Sequence, residues 1–519
     1  GMAATTRALA TSERLPMLEA GTAGENETEA GGSQYLSTSV GVCGRFGSRA
    51  LGLVAGLMLL IAAGAVLTRL PASLEVAEEK ESVQALADNV IQEQDRNGRG
   101  GDGGRRRRND GRRRRGGSGF QSCPSSSEHS STTQEYPHSI MTRNCRNHVL
   151  QTQCMTKAKY LEISSTIAYQ LESISSKCDA TYCPQADWAG CVLRVAGHDF
   201  MDYDPQDGSG GSDACTDMNN ADNKGLAPCL YDGEHGRSLR YAYEQFCESV
   251  SLADFLVVAA ESVMHTTRSF ATASSDSRRR RVRTLSFDTR FKFGRKTATS
   301  CPKAATKLPN PEGGCDAVKE SFIDRLRLDW KGSTALMAVH TLGRAKAANS
   351  GYLGWWSDPE SSRRFNNNYF ISLMEKGWMP KKSVCGNDNK NQWIKSGPDP
   401  QTGDATEMML DTDLCLAFDI PQGAKHETCC AWLLEHGTRD ELCAGHPTDC
   451  GSIRELAGSA GQYVKLFATN EPEWLAEFEE AWAKVTSNGF SGLQPLKETC
   501  WDGHRRAKGA QLFPVVLPL

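Results

Sequence analysis

Apolar positions fall into a helical rhythm from about Arg143 onward. The spacing predicts one or two amphipathic helices over His148–Ser176, a helix over Pro184–His198 and a strongly apolar helix over Ser251–His265. Shorter helices are predicted over Phe322–Leu328, Ser333–His340, Asn367–Lys376 and Asp411–Phe418. Trp474, Phe478 and Trp482 stand at i, i+4, i+8 and predict a late helix over Glu473–Thr486 with a core-packing stripe. In Gly332–Ala345, Leu336, Val339, His340 and Gly343 share one helical face; Ser333 or Thr334 is the expected cap and Gly343 the expected end. A Gly/Asp-rich loop is expected over Asp202–Asn223, a basic surface insertion over Ser274–Arg283 and an inserted loop over Gly377–Glu407. The fold class that follows is all-α with several surface loops.

The N-terminal third has a different texture. Residues 1–49 are small and polar without periodicity and read as a disordered tail. An uncharged apolar run, Ala50–Thr68, is about 28 Å long as a helix, enough to cross a bilayer. Arginines precede it and glutamates follow it, so residues 50–69 read as a transmembrane signal anchor with the bulk of the chain lumenal or extracellular. The second reading is a removed presequence, for secretion or for a plastid reached through a bipartite signal. Residues 70–140 form a Gly/Arg/Ser-rich stalk that cannot bury enough apolar surface to fold. Its tetrabasic runs, Arg105–Arg108 and Arg112–Arg115, first suggest a solvated linker. Contact with an anionic surface or cleavage by a converting protease comes second. A domain over 141–495 and a C-terminal extension over 496–519 complete the division.

The net charge of −4 provides no global pull toward nucleic acid. Of nineteen cysteines only Cys43 precedes the apolar run, and the even remainder reads as structural disulfides in an oxidising compartment. Cys178/Cys183 and Cys443/Cys450 are spaced to close small loops, and the adjacent Cys429 and Cys430 are expected to reach different partners. No paired Cys-x-x-Cys motif supports zinc.

Two histidines carry candidate chemistry. His340 ends an apolar helix face and can present a ring nitrogen to a buried partner such as a haem iron; the bland reading is a satisfied core histidine. Far upstream, Arg194 and His198 are four apart and share a helix face. A neutral imidazole beside a guanidinium suits cleavage of a peroxide. The ring moves the proton to the departing oxygen, and the arginine stabilises the developing charge.

Together these stretches resemble the two histidine motifs of the plant, fungal and bacterial haem peroxidase superfamily. Arg194 and His198 match the distal Arg-x-x-x-His, and His340-Thr-Leu-Gly343 matches the proximal motif. Asn223-Lys-Gly-Leu226, Val250–Leu256 and Gly294-Arg-Lys296 resemble further segments in the family order, so the resemblance runs from about Arg143 to Leu493. It implies a two-lobed helical fold, haem b held by His340, hydrogen peroxide as oxidant and a small organic donor such as a phenol or ascorbate. Asn223 would orient His198. Asp413, or Asp411 beside it, would accept the other ring nitrogen of His340. Trp356, sixteen residues after His340, matches a proximal tryptophan of the ascorbate and cytochrome c peroxidase branch, with Trp355 leaving the register open. Asp199 and Asp213 resemble a distal calcium site in which Cys215 replaces an expected serine. Thr341, Ser357 and Asp358 resemble a second cation site, with Asn366 where an aspartate is usual. Thr428–Trp432 resembles the secreted fungal branch instead.

Gly197 stands where the family carries a bulky aromatic, which implies a roomier pocket. Asp187, Cys191 and Lys346 occupy the positions of a manganese site and do not support one. The rival from another class is a non-catalytic helical interaction module at a membrane or extracellular surface. The joint presence of Arg194, His198, Asn223 and His340 argues against it.

Overall fold

The computed structural model describes residues 137–500 apart from 180, 234–236, 273–282, 302–306, 383–389, 397–406, 421–428 and 451–455. The tail, the apolar run at 50–69, the stalk up to residue 136 and most of the basic insertion lie outside the described residues. Among the described residues no helix is long and apolar enough to cross a membrane.

Two groups of helices carry the core. In the first, α1 (Lys157–Glu172), α2 (Pro184–Phe200) and α3 (Leu252–Thr272) pack together. Helix α1 starts at Thr156, whose hydroxyl accepts the Lys159 amide at 3.1 Å, and buries Tyr160, Ile163, Ile167 and Leu171. The expected start near His148 is too early. Residues before Thr156 are held extended by the Val149 amide on Cys247, and by bridges from Gln151 to Lys296 and from Thr156 to Lys497. Pro184 opens α2 at a position where its missing N–H costs nothing. Helix α3 is buried nearly all round, as its continuous apolar run requires. Its mid-helix carboxylate, Glu261, accepts from Tyr160 Oη at 2.8 Å and from Trp482 Nε1 at 3.1 Å, joining three helices. Asp254, at its start, pairs with buried Arg295 at 2.8 Å.

The second group is α4 (Trp330–Met337), α5 (Asn368–Glu375), α7 (Gly458–Thr469) and α8 (Glu471–Val485), with the short α6 (Asp411–Leu414) beside it. Trp474, Phe478 and Trp482 are buried along α8 as their spacing predicts, and Phe365 stacks on Trp474 at 4.9 Å. The cap of α4 is neither Ser333 nor Thr334. Asp329 takes the Gly332 amide at 2.8 Å, while both hydroxyls bond back to carbonyls within the helix. Helix α4 tightens into a 3-10 turn, Ala338–Thr341, and Gly343 ends it at φ +85°. The helix expected over Phe322–Leu328 is the tail of a longer one, Gly314–Val318 running into a π turn over Lys319–Arg325. The one expected over Asp411–Phe418 stops at Leu414.

The all-α expectation needs small amendments. Within the expected loop over Gly377–Glu407, Trp378–Lys381 and Gln392–Lys395 form antiparallel strands, joined by Met408–Met409 just beyond it. Trp378 and Trp393 bury its inner side. Eight disulfides link described cysteines, among them Cys178–Cys183 as expected. Cys443 and Cys450 do not pair with each other: Cys450 bonds Cys429 and Cys443 bonds Cys430. Adjacent strand residues face opposite ways, so Cys429 and Cys430 do reach different partners and claim both sulfurs.

Candidate active site

A cavity of about 930 Å3 opens between α2 and the turn after α4, a size suited to a cofactor. Arg194, His198, His340 and Trp356 all line it. Residues far apart in sequence therefore meet around one space, which a pair of unrelated core histidines would not do.

On the α2 side, Asn223 Nδ2 donates to the Asp217 carbonyl at 2.8 Å, which turns its oxygen toward His198. That oxygen lies 2.7 Å from His198 Nδ1, so Nδ1 carries the proton and Nε2 keeps its lone pair. Arg194 Nε donates to Nε2 at 3.2 Å. The guanidinium is fixed by the carbonyls of Lys224, at 2.7 Å, and Asp222. Burial, and then the charge of Arg194, push the His198 pKa down to about 3, against the opposing Asn223 bond. Burial lowers Arg194 to about 10, so it remains a cation. The outcome is a neutral base beside a fixed positive charge.

On the other side, His340 Nδ1 lies 2.9 Å from Asp413 Oδ1, leaving Nε2 as the donor atom. Asp413 also accepts from Tyr369 Oη at 2.8 Å, from Trp356 Nε1 at 2.8 Å and from the Leu410 amide at 2.8 Å. Burial alone would raise this carboxyl, but His340, Leu410 and Trp356 together hold it below its usual range. Trp356 stacks on the His340 ring, with centroids 4.3 Å apart, so Trp356 and not Trp355 is the tryptophan at the site. Asp411 faces away and accepts from Trp393 at 2.7 Å.

The peroxidase family model matches residues 174–425. Over these residues, just under half of its length, the chain belongs to the haem peroxidase superfamily. A Pyricularia oryzae protein named as a heme-binding peroxidase is 38% identical over 113 residues, 22% of this chain and 35% of that protein. Mitochondrial cytochrome c peroxidase of Emericella nidulans is 27% identical over 270 residues, 51% of this chain and 63% of that one. L-ascorbate peroxidase 3 of Arabidopsis thaliana is 29% identical over 193 residues, covering 36% and 57%. The chain thus spans between about a third and two thirds of these relatives.

The donor set fits a haem peroxidase. A histidine backed by a carboxylate, His340, is of the kind that could hold a haem iron, and the same cavity takes in His198, whose Nε2 has no carboxylate partner. The cation residues are placed less uniformly. Asp199, in the last turn of α2, reaches the loop that carries Asp213 and accepts the Ala214 and Cys215 amides at 2.9 and 3.0 Å. Asp202, which the sequence did not single out, joins Asp213. Cys215 is bonded to Cys301 and offers no sulfur. Burial, and then Asp202, raise Asp213 to about 7; burial raises Asp202 to about 6. Across the site, Thr341 donates to Asn366 at 3.0 Å, whereas Ser357 turns to the Asp358 carbonyl at 3.4 Å and Asp358 accepts the Ser361 amide at 2.9 Å. Asp187 is held by Arg344 at 2.9 Å and Lys346 at 2.8 Å, a pairing that leaves no free carboxylate for manganese there.

Proposed function

We propose that this chain is a haem b peroxidase that reduces hydrogen peroxide to water and oxidises an organic donor in one-electron steps. The observation that carries the reading is the pair of imidazoles in one cavity whose Nδ1 atoms face acceptors of different charge, a neutral amide oxygen at His198 and a carboxylate at His340. His340 would hold the haem, which would supply the iron redox chemistry for reducing peroxide at the donor's expense. His198 Nε2 takes the proton of the incoming peroxide and returns it to the oxygen that leaves as water. Arg194 stabilises the negative charge that develops as the O–O bond breaks. Asn223 holds the ring in the tautomer this needs, and Asp413 makes His340 a stronger donor. Trp356, stacked on His340 and bonded to Asp413, is placed to exchange an electron with the site.

The donor reading is a small phenol or ascorbate. The apolar run at 50–69 and the disulfides support a domain anchored in a membrane and facing a lumen or the outside. A calcium ion at Asp199, Asp202 and Asp213 is supported by the grouping of one buried and two half-buried carboxylates, whose repulsion a cation would relieve. Haem reconstitution followed by a hydrogen peroxide titration tests the central claim. A Soret band that shifts with peroxide and returns on adding donor supports it, while bound haem inert to peroxide favours the non-catalytic module.

A further inference from the structure

Gly197 sits inside α2, one residue before His198, and lines the cavity with Arg194 and Met201. Glycine is a poor helix former because it loses more backbone freedom than alanine, so its presence there asks for a reason. Two common reasons fail. Its φ is not in the left-handed region, so any side chain fits the backbone. A Cβ placed on it meets no atom within 4 Å, so no neighbour demands its absence. Gly190, two turns earlier in the same helix, is the opposite case: its Cβ would lie 2.9 Å from Gly343 Cα. One glycine is required by packing and the other is not. What a bare position 197 does provide is room beside the ring that handles the proton.

We propose that Gly197 admits organic hydroperoxides, R–O–OH with a bulky R, as the oxidising substrate. The inference rests on the peroxidase reading above and names its substrate class. Leu193, Met201 and Phe322 line the same cavity and offer apolar surface that R can cover and hydrogen peroxide cannot. His198 takes the hydroperoxide proton, the O–O bond breaks, and the ring returns the proton to the alkoxide, which leaves as the alcohol ROH. The second oxygen leaves as water after two protons and two electrons, one from each of two phenolic donors. The hydroperoxide is reduced and the phenols are oxidised.

The haem-loaded full chain is mixed with hydrogen peroxide or with cumene hydroperoxide, and the second-order rate is read from the absorption change. Wild type, Gly197→Ala and Gly197→Phe are compared, with Gly197→Leu serving where the Phe variant does not fold. The affinity for 4-phenylimidazole, a bulky ring that takes no part in turnover, is read from the same band. Filling the space is expected to lower the ratio of cumene hydroperoxide to hydrogen peroxide rates by about tenfold or more in Gly197→Phe, with Gly197→Ala between. Binding of 4-phenylimidazole should weaken in the same order. An unchanged ratio in the filled variant overturns the inference. So does a wild type that consumes hydrogen peroxide but not cumene hydroperoxide, an outcome that leaves the peroxidase reading standing. A wild type inert to both removes that reading and the inference together.

Discussion

His198 and His340 present the same ring to the same cavity, yet their surroundings give them opposite characters. His198 leans on an amide oxygen and faces a guanidinium, so its ring is kept neutral, with an Nε2 lone pair that accepts a bond from Arg194 and carries no proton of its own. His340 leans on a carboxylate that carries three further donors. One partner atom at Nδ1 therefore separates the proposed proton carrier from the proposed metal ligand. The supports differ too. The Arg194–His198 pair is held mainly by the short Asp217–Lys224 loop, while His340 is tied to α5, α6 and the Gly354–Trp355 strand region, distant in sequence.

Breaking the proposed proton carrier should have the largest effect. His198→Leu is expected to slow the reaction with hydrogen peroxide by roughly 10^2 to 10^4-fold with haem still bound. Stopped-flow absorption checks this, and wild-type rates in that variant would remove the ring from the mechanism. Next comes the ligand side: Asp413→Asn should weaken haem binding or activity by roughly 10 to 100-fold and raise the midpoint potential, read by spectroelectrochemistry. If the potential does not move, the carboxylate is not tuning the ligand.

A pH profile sharpens the contrast at smaller cost to the protein. The His198 pKa of about 3 lies below its free value of 6.5, so the neutral ring dominates from about pH 3 upward. The peroxide rate should show no acid limb near 6.5. The matching stability is present above 6.5 and is lost as pH falls toward 3, because only the unfolded ring gains a proton readily. A rate that halves near pH 6.5 would contradict this arrangement. Smallest, calcium should raise the Tm of the metal-depleted protein by a few degrees, an effect expected to shrink in Asp213→Asn. No shift in Tm would leave the carboxylate cluster without an ion.

Much of the site could be read from local patterns, because Arg194 and His198 share one helix turn and His340 ends another. The choice between Asp411 and Asp413 could not, since both lie in one helical turn and only folding shows which one His340 meets. Tyr369 was missed for a similar reason: an apolar helix gives no sign that a hydroxyl will reach a carboxylate 44 residues away. The strands around Trp378 and Trp393 are two to four residues long, too short for a period of two to register. Cysteine spacing suggested Cys443 with Cys450, whereas the real partners were set by a strand pairing invisible along the chain.

The near-contact of Gly190 and Gly343 joins the helix bearing one imidazole to the turn that follows the other. Two missing methyl groups thus set the separation of the walls at that edge. Even a single alanine at either place would act as a wedge, spreading the jaws that must close on a flat ring. The grip on the cofactor would then loosen although every residue that touches it remained in place.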